Sequence, residues 1–371
     1  MKKEKIILYI WLATSFSYGS SMPHIILKHY NGNLEYFYEN IEFESALFKI
    51  SEKSLEKLNK KDLSKAEHIF NLCEKLNINI LTYYEEKYPE KLREIASSPI
   101  VLYYIGNLNT TFAPCVSIVG TRRCNEFGLN SAKTLTRKLV NYGITTISGC
   151  AIGIDKTIHL ETINANGLTI AVLGTALDSK YPFQNRELKK NIIKKNGLIL
   201  SEYPPQEETK AWHFPIRNRI ISAISDCVVV IQSKEKSGTI ITAKKALEFK
   251  KKLFCIPPAN IFDENSKGIK KCLEKGAKLL LDINDILKIF ENSKYKLTNA
   301  KNPSEEEKNY KTFNIPKEFE SLFEIITEET KLEDILKKTN YKTSELLFML
   351  TQMELLNYIE KTKIGYKRCI N

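Results

Sequence analysis

Between residues 116 and about 282, short apolar runs rich in β-branched residues alternate with stretches of helical pattern. The runs lie at 116–119, 144–147, 169–173, 198–200, 227–231 and 253–256, with a weaker one at 278–281. Strands that alternate with helices predict a doubly wound parallel sheet, because parallel neighbours need crossover connections. The runs are apolar almost throughout, as expected of strands covered on both faces. This pattern also fixes where a ligand belongs. In an open parallel sheet, binding sites form beyond the carboxyl ends of the strands.

The residues at those ends are small, hydroxylated or basic. After the first run comes Gly120-Thr121-Arg122-Arg123, and after the second Ser148-Gly149 leads into a helix carrying Asp155 and His159. After the third come Gly174-Thr175, then Lys180, Tyr181, Pro182 and Phe183; after the fourth, Ser201-Glu202-Tyr203-Pro204-Pro205. Past the fifth and a short basic stretch comes Ser237-Gly238-Thr239. A small-residue turn before a helix aims backbone N–H groups outward at the positive end of the helix dipole, which suits a phosphate. Any one such turn reads equally well as a plain helix cap. Five turns on one edge of one sheet favour a site.

The charged residues sharpen this reading. From 234 to 252 the chain has seven Lys against Glu235 and Glu248. Arg122 and Arg123 offer bidentate phosphate contacts and stacking on bases. Arg217, Asn218 and Arg219 open an apolar helix. There the arginines either reach a ligand or brace the sheet by pairing with a carboxylate such as Asp226 or Asp155. Phe183 either stacks on a base or belongs to the core. Asp155 and His159 lie one helical turn apart like an acid–base pair. With no nucleophile nearby, they read as parts that hold the turn. No GxxxxGK[ST] occurs, and no GxGxxG follows the first run, so neither a P-loop motor nor ordinary dinucleotide binding is expected.

Net charge is +12, from 56 Lys plus Arg against 44 Asp plus Glu, which favours a polyanionic partner. The eight cysteines show no CxxC or Cys/His ligand spacing and the five histidines are scattered. The expectation is therefore no metal, no cofactor, and a reducing, cytoplasmic setting. The basic start followed by an apolar run at 6–16 resembles a signal peptide. Glu4, Tyr9 and Trp11 interrupt it and no A-x-A site follows, so a buried helix is expected. No other run approaches the length of a membrane span.

Outside the sheet, residues 1–80 read as a helical domain. Gly19 and Gly32 lie in its turns, as in a helix-hairpin-helix or SAM-like unit. The sheet domain is expected over 81–290, with 78–115 an extension packing onto it. Residues 291–312, rich in Lys, Asn and Glu, read as a linker. Residues 313–371 show three helical patterns and a short hairpin, a winged-helix arrangement. Its third helix carries Glu345 and Glu354 with only Lys342 at its start, so a protein-interaction role is as good a reading as groove binding.

With these residues in view, the chain resembles the DprA/Smf family, the DNA-processing proteins of bacterial transformation. The resemblance is carried by Val119 to Arg123 with Gly128, Ser148 to Asp155 with His159, and Tyr181-Pro182 with Asn185 and Leu188. It continues in Ser201 to Pro205, Phe214 to Ser222, Ser237-Gly238-Thr239 with Thr242-Ala243, and Gly276-Ala277. These stretches keep the family's order over about 90–282. The chain departs from the family pattern at Gly174-Thr175, Pro257-Pro258 and Gln232. The resemblance implies an extended Rossmann-like fold that forms a homodimer. It implies a non-catalytic protein that binds and protects incoming single-stranded DNA at this rim. RecA, which it loads, and the single-stranded-DNA-binding protein are the implied partners. Two other classes stay open on the residues alone. One is a nucleotide-cleaving enzyme of the related Rossmann-like group, although Ser237-Gly238-Thr239 lacks that group's glycine run and following Glu. The other is a nucleotide sensor on the same rim.

Overall fold

The computed structural model describes residues 2–291, 293, 295 and 297, and in the C-terminal part residues 316–326, 329–339, 341–356, 358–362 and 364–368. The chain divides into two compact units, 1–299 and 300–371. Nearly all of the expected linker, 291–312, lies outside the described residues.

The first unit opens with six helices: α1 (Lys3–Ser15), α2 (Met22–His29), α3 (Leu34–Glu39), α4 (Ile41–Glu44), α5 (Glu52–Asn59) and α6 (Ser64–Lys75). The apolar start is thus a helix, and Ile7, Leu8, Ile10, Trp11 and Leu12 are buried in it. Gly19 and Gly32 take φ of +78° and +82° in the turns, a backbone region that glycine enters without strain. No helix among the described residues is long and apolar enough to cross a membrane.

Then follow β1 (Asn79–Thr82), α7 (Glu90–Arg93), β2 (Val101–Gly106), β3 (Cys115–Val119), α8 (Glu126–Asn141), β4 (Thr145–Ser148), α9 (Ile154–Asn164) and β5 (Thr169–Leu173). The order continues with α10 (Arg186–Lys194), β6 (Leu198–Ser201), α11 (His213–Ile224), β7 (Cys227–Val230), α12 (Gly238–Glu248), β8 (Lys252–Cys255), α13 (Lys267–Glu274), β9 (Lys278–Leu279) and α14 (Asn284–Leu287). All nine strands form one sheet in the order β1-β2-β6-β5-β4-β3-β7-β8-β9. From β6 to β9 every pairing is parallel. The stretch 78–115, read above as an extension, supplies β1 and β2, which add to the β6 edge in antiparallel register.

Both faces of the parallel core are covered. On β3, Cys115 and Val119 join one apolar cluster while Val116 and Ile118 join the other; β7 divides its valines the same way. This is the period-two alternation of a strand expressed within an all-apolar run. Helices α8 and α9 pack on one face through Leu135, Leu139, Ile154 and Ile158. Helices α11 and α12 pack on the other through Ile220, Ile224, Ala243 and Ala246, and that cluster runs on into the N-terminal helices.

The chain moves outward from β3 through β4 and β5 to β6, then returns to the other side of β3 with β7. The β3–β7 seam is therefore the topological switch point, where such sheets open a crevice. The expected arginine turn follows β3, and the expected basic Ser-Gly-Thr turn follows β7.

The second unit holds helices Lys317–Ile325, Leu332–Lys338 and Thr343–Leu355, and strands Ile359–Lys361 and Tyr366–Arg368, which pair antiparallel. Phe319, Leu322, Ile335, Leu346, Leu350 and Met353 form its core.

Candidate nucleic-acid interface

The arginine turn is shaped by close packing. A side chain at Gly120 would meet Ile154, so the backbone there passes directly over the start of α9. Gly153, at φ +83°, lies against the carbonyls of Thr121 and Arg122, a conformation and an approach that favour glycine. Thr121 is buried, and its hydroxyl accepts the Arg123 N–H at 3.2 Å. Its own N–H donates to Gln232 O at 2.9 Å, tying the turn after β3 to the one after β7. Arg122 and Arg123 remain exposed. The Arg122 guanidinium lies 5.5 Å from the centre of the Phe214 ring, a cation–π contact.

Asn125 is the hub behind this turn. Its side-chain oxygen caps α8 by accepting the Gly128 N–H at 3.0 Å, and also accepts from Gln232 Nε2 at 2.7 Å. Its Nδ2 donates to Asp263 at 2.8 Å. A side chain at Gly128 would collide with Gln232. The departure at Gln232 thus supplies a donor to Asn125 and leaves the turn intact. Sequence reasoning missed Asn125 and Asp263 and the role of Gln232, because these bonds span 107 and 138 positions of chain.

The turn after β4 differs from the open phosphate cradle its sequence suggests. The Gly149 and Ala151 amides point at Asp155 Oδ2, at 3.2 and 3.4 Å. The chain's own carboxylate fills the place of an anion. Burial raises the Asp155 carboxyl above its usual range, while Arg217 and these amides pull it back. Ser148 is buried and donates to Ile118 O at 2.7 Å. His159 is fully buried, with Nδ1 2.7 Å from Thr169 Oγ1. Burial and then Arg217 lower it to about 3, so it stays neutral and out of reach of any ligand.

The structure does not bring Arg217 and Arg219 to the surface; each is 4% exposed. Arg217 donates to Gly149 O at 2.8 Å and to Val172 O, beside Asp155. Arg219 pairs with Glu202 at 2.7 Å, a partner the sequence reading did not name. Asp226 is engaged instead by Lys91 and the Cys115 amide. Asn218 accepts from Arg217 and donates to Gly238 O at 3.1 Å, which fixes the start of α12 against α11. These three residues brace the rim from beneath.

At the start of α12, Ser237 makes no side-chain cap; its hydroxyl bonds Ser233 at 2.7 Å. Gly238 is exposed, with only the Asn218 side-chain nitrogen within 4 Å of where a side chain would begin, and Thr239 is buried behind it. The first-turn N–H groups of an eleven-residue helix therefore lack a side-chain cap, flanked by exposed Lys234 and Lys236.

After β5, Lys180 is exposed and Phe183 is 71% exposed. Lys189 holds their loop by donating to Ser179 O and Tyr181 O at 3.1 and 2.9 Å. Tyr181 packs 5.6 Å from Phe214. A cleft of about 180 Å³ opens among Arg122, Gly149, Ile152, Gly174, Tyr181 and Phe214. Gly174 is required there because a side chain would strike Phe214. Among the described residues no cluster of His, Cys, Asp and Glu suits a metal ion. The rim thus offers two exposed arginines, exposed lysines, a helix start and exposed rings. Side chains of these kinds are the ones that can hold an anionic backbone and stack on bases.

The family model of DNA recombination-mediator protein A matches residues 79–291. The chain is 42% identical over 215 residues to Protein Smf of Synechocystis, which covers 57% of this chain and 54% of that one. It is 39% identical over 207 residues to the DNA processing protein DprA of Streptococcus pneumoniae, covering 56% of this chain and 72% of that one. The match thus spans about half the length of the Synechocystis relative. The solved S. pneumoniae DprA superposes with a TM-score of 0.67 at 31% identity, covering 78% of this chain and 98% of that one. The Helicobacter pylori DprA, solved for its single-stranded DNA binding mode, superposes with a TM-score of 0.51 at 30% identity over 57% of this chain and 94% of that one.

Proposed function

Because the chain belongs to the DNA recombination-mediator protein A family, we propose that it is a DNA-processing protein that binds single-stranded DNA along the strand-end rim. It grips the backbone through Arg122, Arg123, Lys180 and the start of α12, and stacks bases on Phe183. The carrying observation is the switch-point seam, where an exposed arginine pair and a helix start without a side-chain cap converge. Ser148, Gly149, Arg217, Asn218 and Arg219 serve this site from below by holding the turns. Their internal hydrogen bonds support that role.

The protein acts without catalysis. The acid–base pair suggested by Asp155 and His159 is buried and internally bonded. Several anion sites along one edge suit a polymer better than a single nucleotide. In this reading the protein shields incoming strands in the cytoplasm, works as a homodimer, and passes the strand to RecA in exchange with the single-stranded-DNA-binding protein. The three helices and hairpin of the second unit act as a winged-helix module. A mobility shift with labelled single-stranded oligonucleotide, competed by nucleoside monophosphates, tests the proposal. A shift that survives the competitors is expected. Displacement by mononucleotides, or release of free base from them, would turn the reading toward a sensor or an enzyme.

A further inference from the structure

The loop after β8 holds a large apolar tip in water: Ile261 is 72% exposed and Phe262 84%. The loop itself is firmly built. Asn260 Oδ1 accepts the Phe262 N–H at 2.9 Å, and Asn260 O accepts from the Ser266 hydroxyl at 2.7 Å. Asp263 accepts the Asn265 N–H at 2.9 Å. Two further bonds tether the loop to the rim. Asp263 accepts from Asn125, the hub of the arginine turn, and Asn265 O accepts the Ser233 N–H at 2.8 Å, at the base of the Ser-Gly-Thr turn. A braced loop that keeps a phenyl ring in solvent, anchored to both anion-binding turns, is built to present that ring.

The local charge says to what. Glu235 is paired with Lys271 at 2.9 Å and Glu264 with Lys267, while Asp263 is held by the neutral Asn125 side chain and Asn265 N–H and makes no ion pair among the described residues. Exposed Lys234 and Lys236 make no ion pair among the described residues, and Arg123 stands exposed on the other tether. The tip's two tethers therefore lead to three exposed cations, Lys234, Lys236 and Arg123, which outnumber the Asp263 carboxylate and continue into the proposed DNA rim. From β6 to β8 the rim crosses five strand spacings, about 24 Å. Phe183 lies toward one end of that span and Phe262 at the other.

We propose that Phe262 is a base-stacking post that extends the bound single strand past the arginine turn to the β8 end of the rim. This rests on the DNA-binding reading above. The test is the affinity of Phe262→Ala for labelled oligonucleotides at several salt concentrations, with Phe262→Trp as the conservative variant. The ring is exposed, so the fold stays intact. Affinity falls by about fivefold or more in Phe262→Ala with an unchanged salt slope, because a base contact and no phosphate contact is lost. Phe262→Trp restores it. An abasic position scanned along the oligonucleotide weakens wild type at one place where it leaves Phe262→Ala unaffected. Equal affinities of wild type and Phe262→Ala overturn the inference, even where Arg122→Ala with Arg123→Ala weakens binding. An altered oligomeric state in Phe262→Ala with DNA binding unchanged overturns it too and makes the tip a protein contact. Failure of wild type to bind any oligonucleotide overturns the functional reading itself.

Discussion

At the scale of single residues, the rim is a division of labour between exposed and buried charge. Arg122 and Arg123 face water, whereas Arg217 and Arg219 are spent on Gly149 O, Val172 O and Glu202. The sequence could place all four near the strand ends. It could not separate them, because burial depends on the packing of α11 beneath the turns. His159 gives a test with a definite sign. The unfolded chain takes a proton on this residue near pH 6.5, but the native state holds it neutral down to about 3. Between those values the unfolded state binds more protons, so stability falls as pH falls. The expected result is that wild type loses on the order of 1 kcal/mol per pH unit more than His159→Gln between pH 6.5 and 4.5. His24, lowered by burial to about 4, contributes a parallel loss common to both proteins. Denaturant titrations at pH 6.5, 5.5 and 4.5 measure the difference, and parallel slopes would refute the assignment.

At the scale of elements, the seam between β3 and β7 depends on turns whose helix starts are capped differently. Asn125 caps α8 and is bonded to Gln232 and Asp263; Ser237 leaves the start of α12 without a side-chain cap. Asn125→Ala is expected to cost about 1–2 kcal/mol, while Ser237→Ala costs a few tenths and weakens DNA binding little, since the backbone N–H groups remain. Thermal unfolding with binding assays on both variants checks this. The same elements show what was legible. The seven parallel-sheet strands β3–β9 could be read from apolar runs, to within a residue or two at most ends. Strands β1 and β2 were not, because both lie on the antiparallel side of the sheet with mixed burial, so neither reads as an apolar run between helices. The turn after β4 reads from sequence as a phosphate site or a plain cap, and in the structure Asp155 takes the anion's place and holds the turn. The Gly-rich pattern is the same whether the anion is a phosphate or, as here, Asp155 six residues on.

At the scale of the whole molecule, part of the surplus of basic residues behind the net charge of +12 lies on the rim. Exposed Arg122, Arg123, Lys180, Lys234 and Lys236 lie on the strand-end edge, with the cleft on the β4–β5 side of the switch point and the α12 start on its β7 side. The resemblance read from the motif stretches at 90–282 agrees with the family match over 79–291. It outran the physical reading, which reached only a basic, anion-binding α/β rim. The central claim is that Arg122 and Arg123 bind the strand's phosphates, and the salt dependence of binding tests it most directly. Wild type and the Arg122→Ala, Arg123→Ala double variant are titrated with labelled single-stranded DNA across a range of salt. Two lost ion contacts should flatten the slope of log K against log salt by roughly 1.4, at about 0.7 per contact, with weaker binding at low salt and an unchanged melting temperature. Equal affinities and parallel slopes in a folded variant would contradict the account and move the DNA away from this rim.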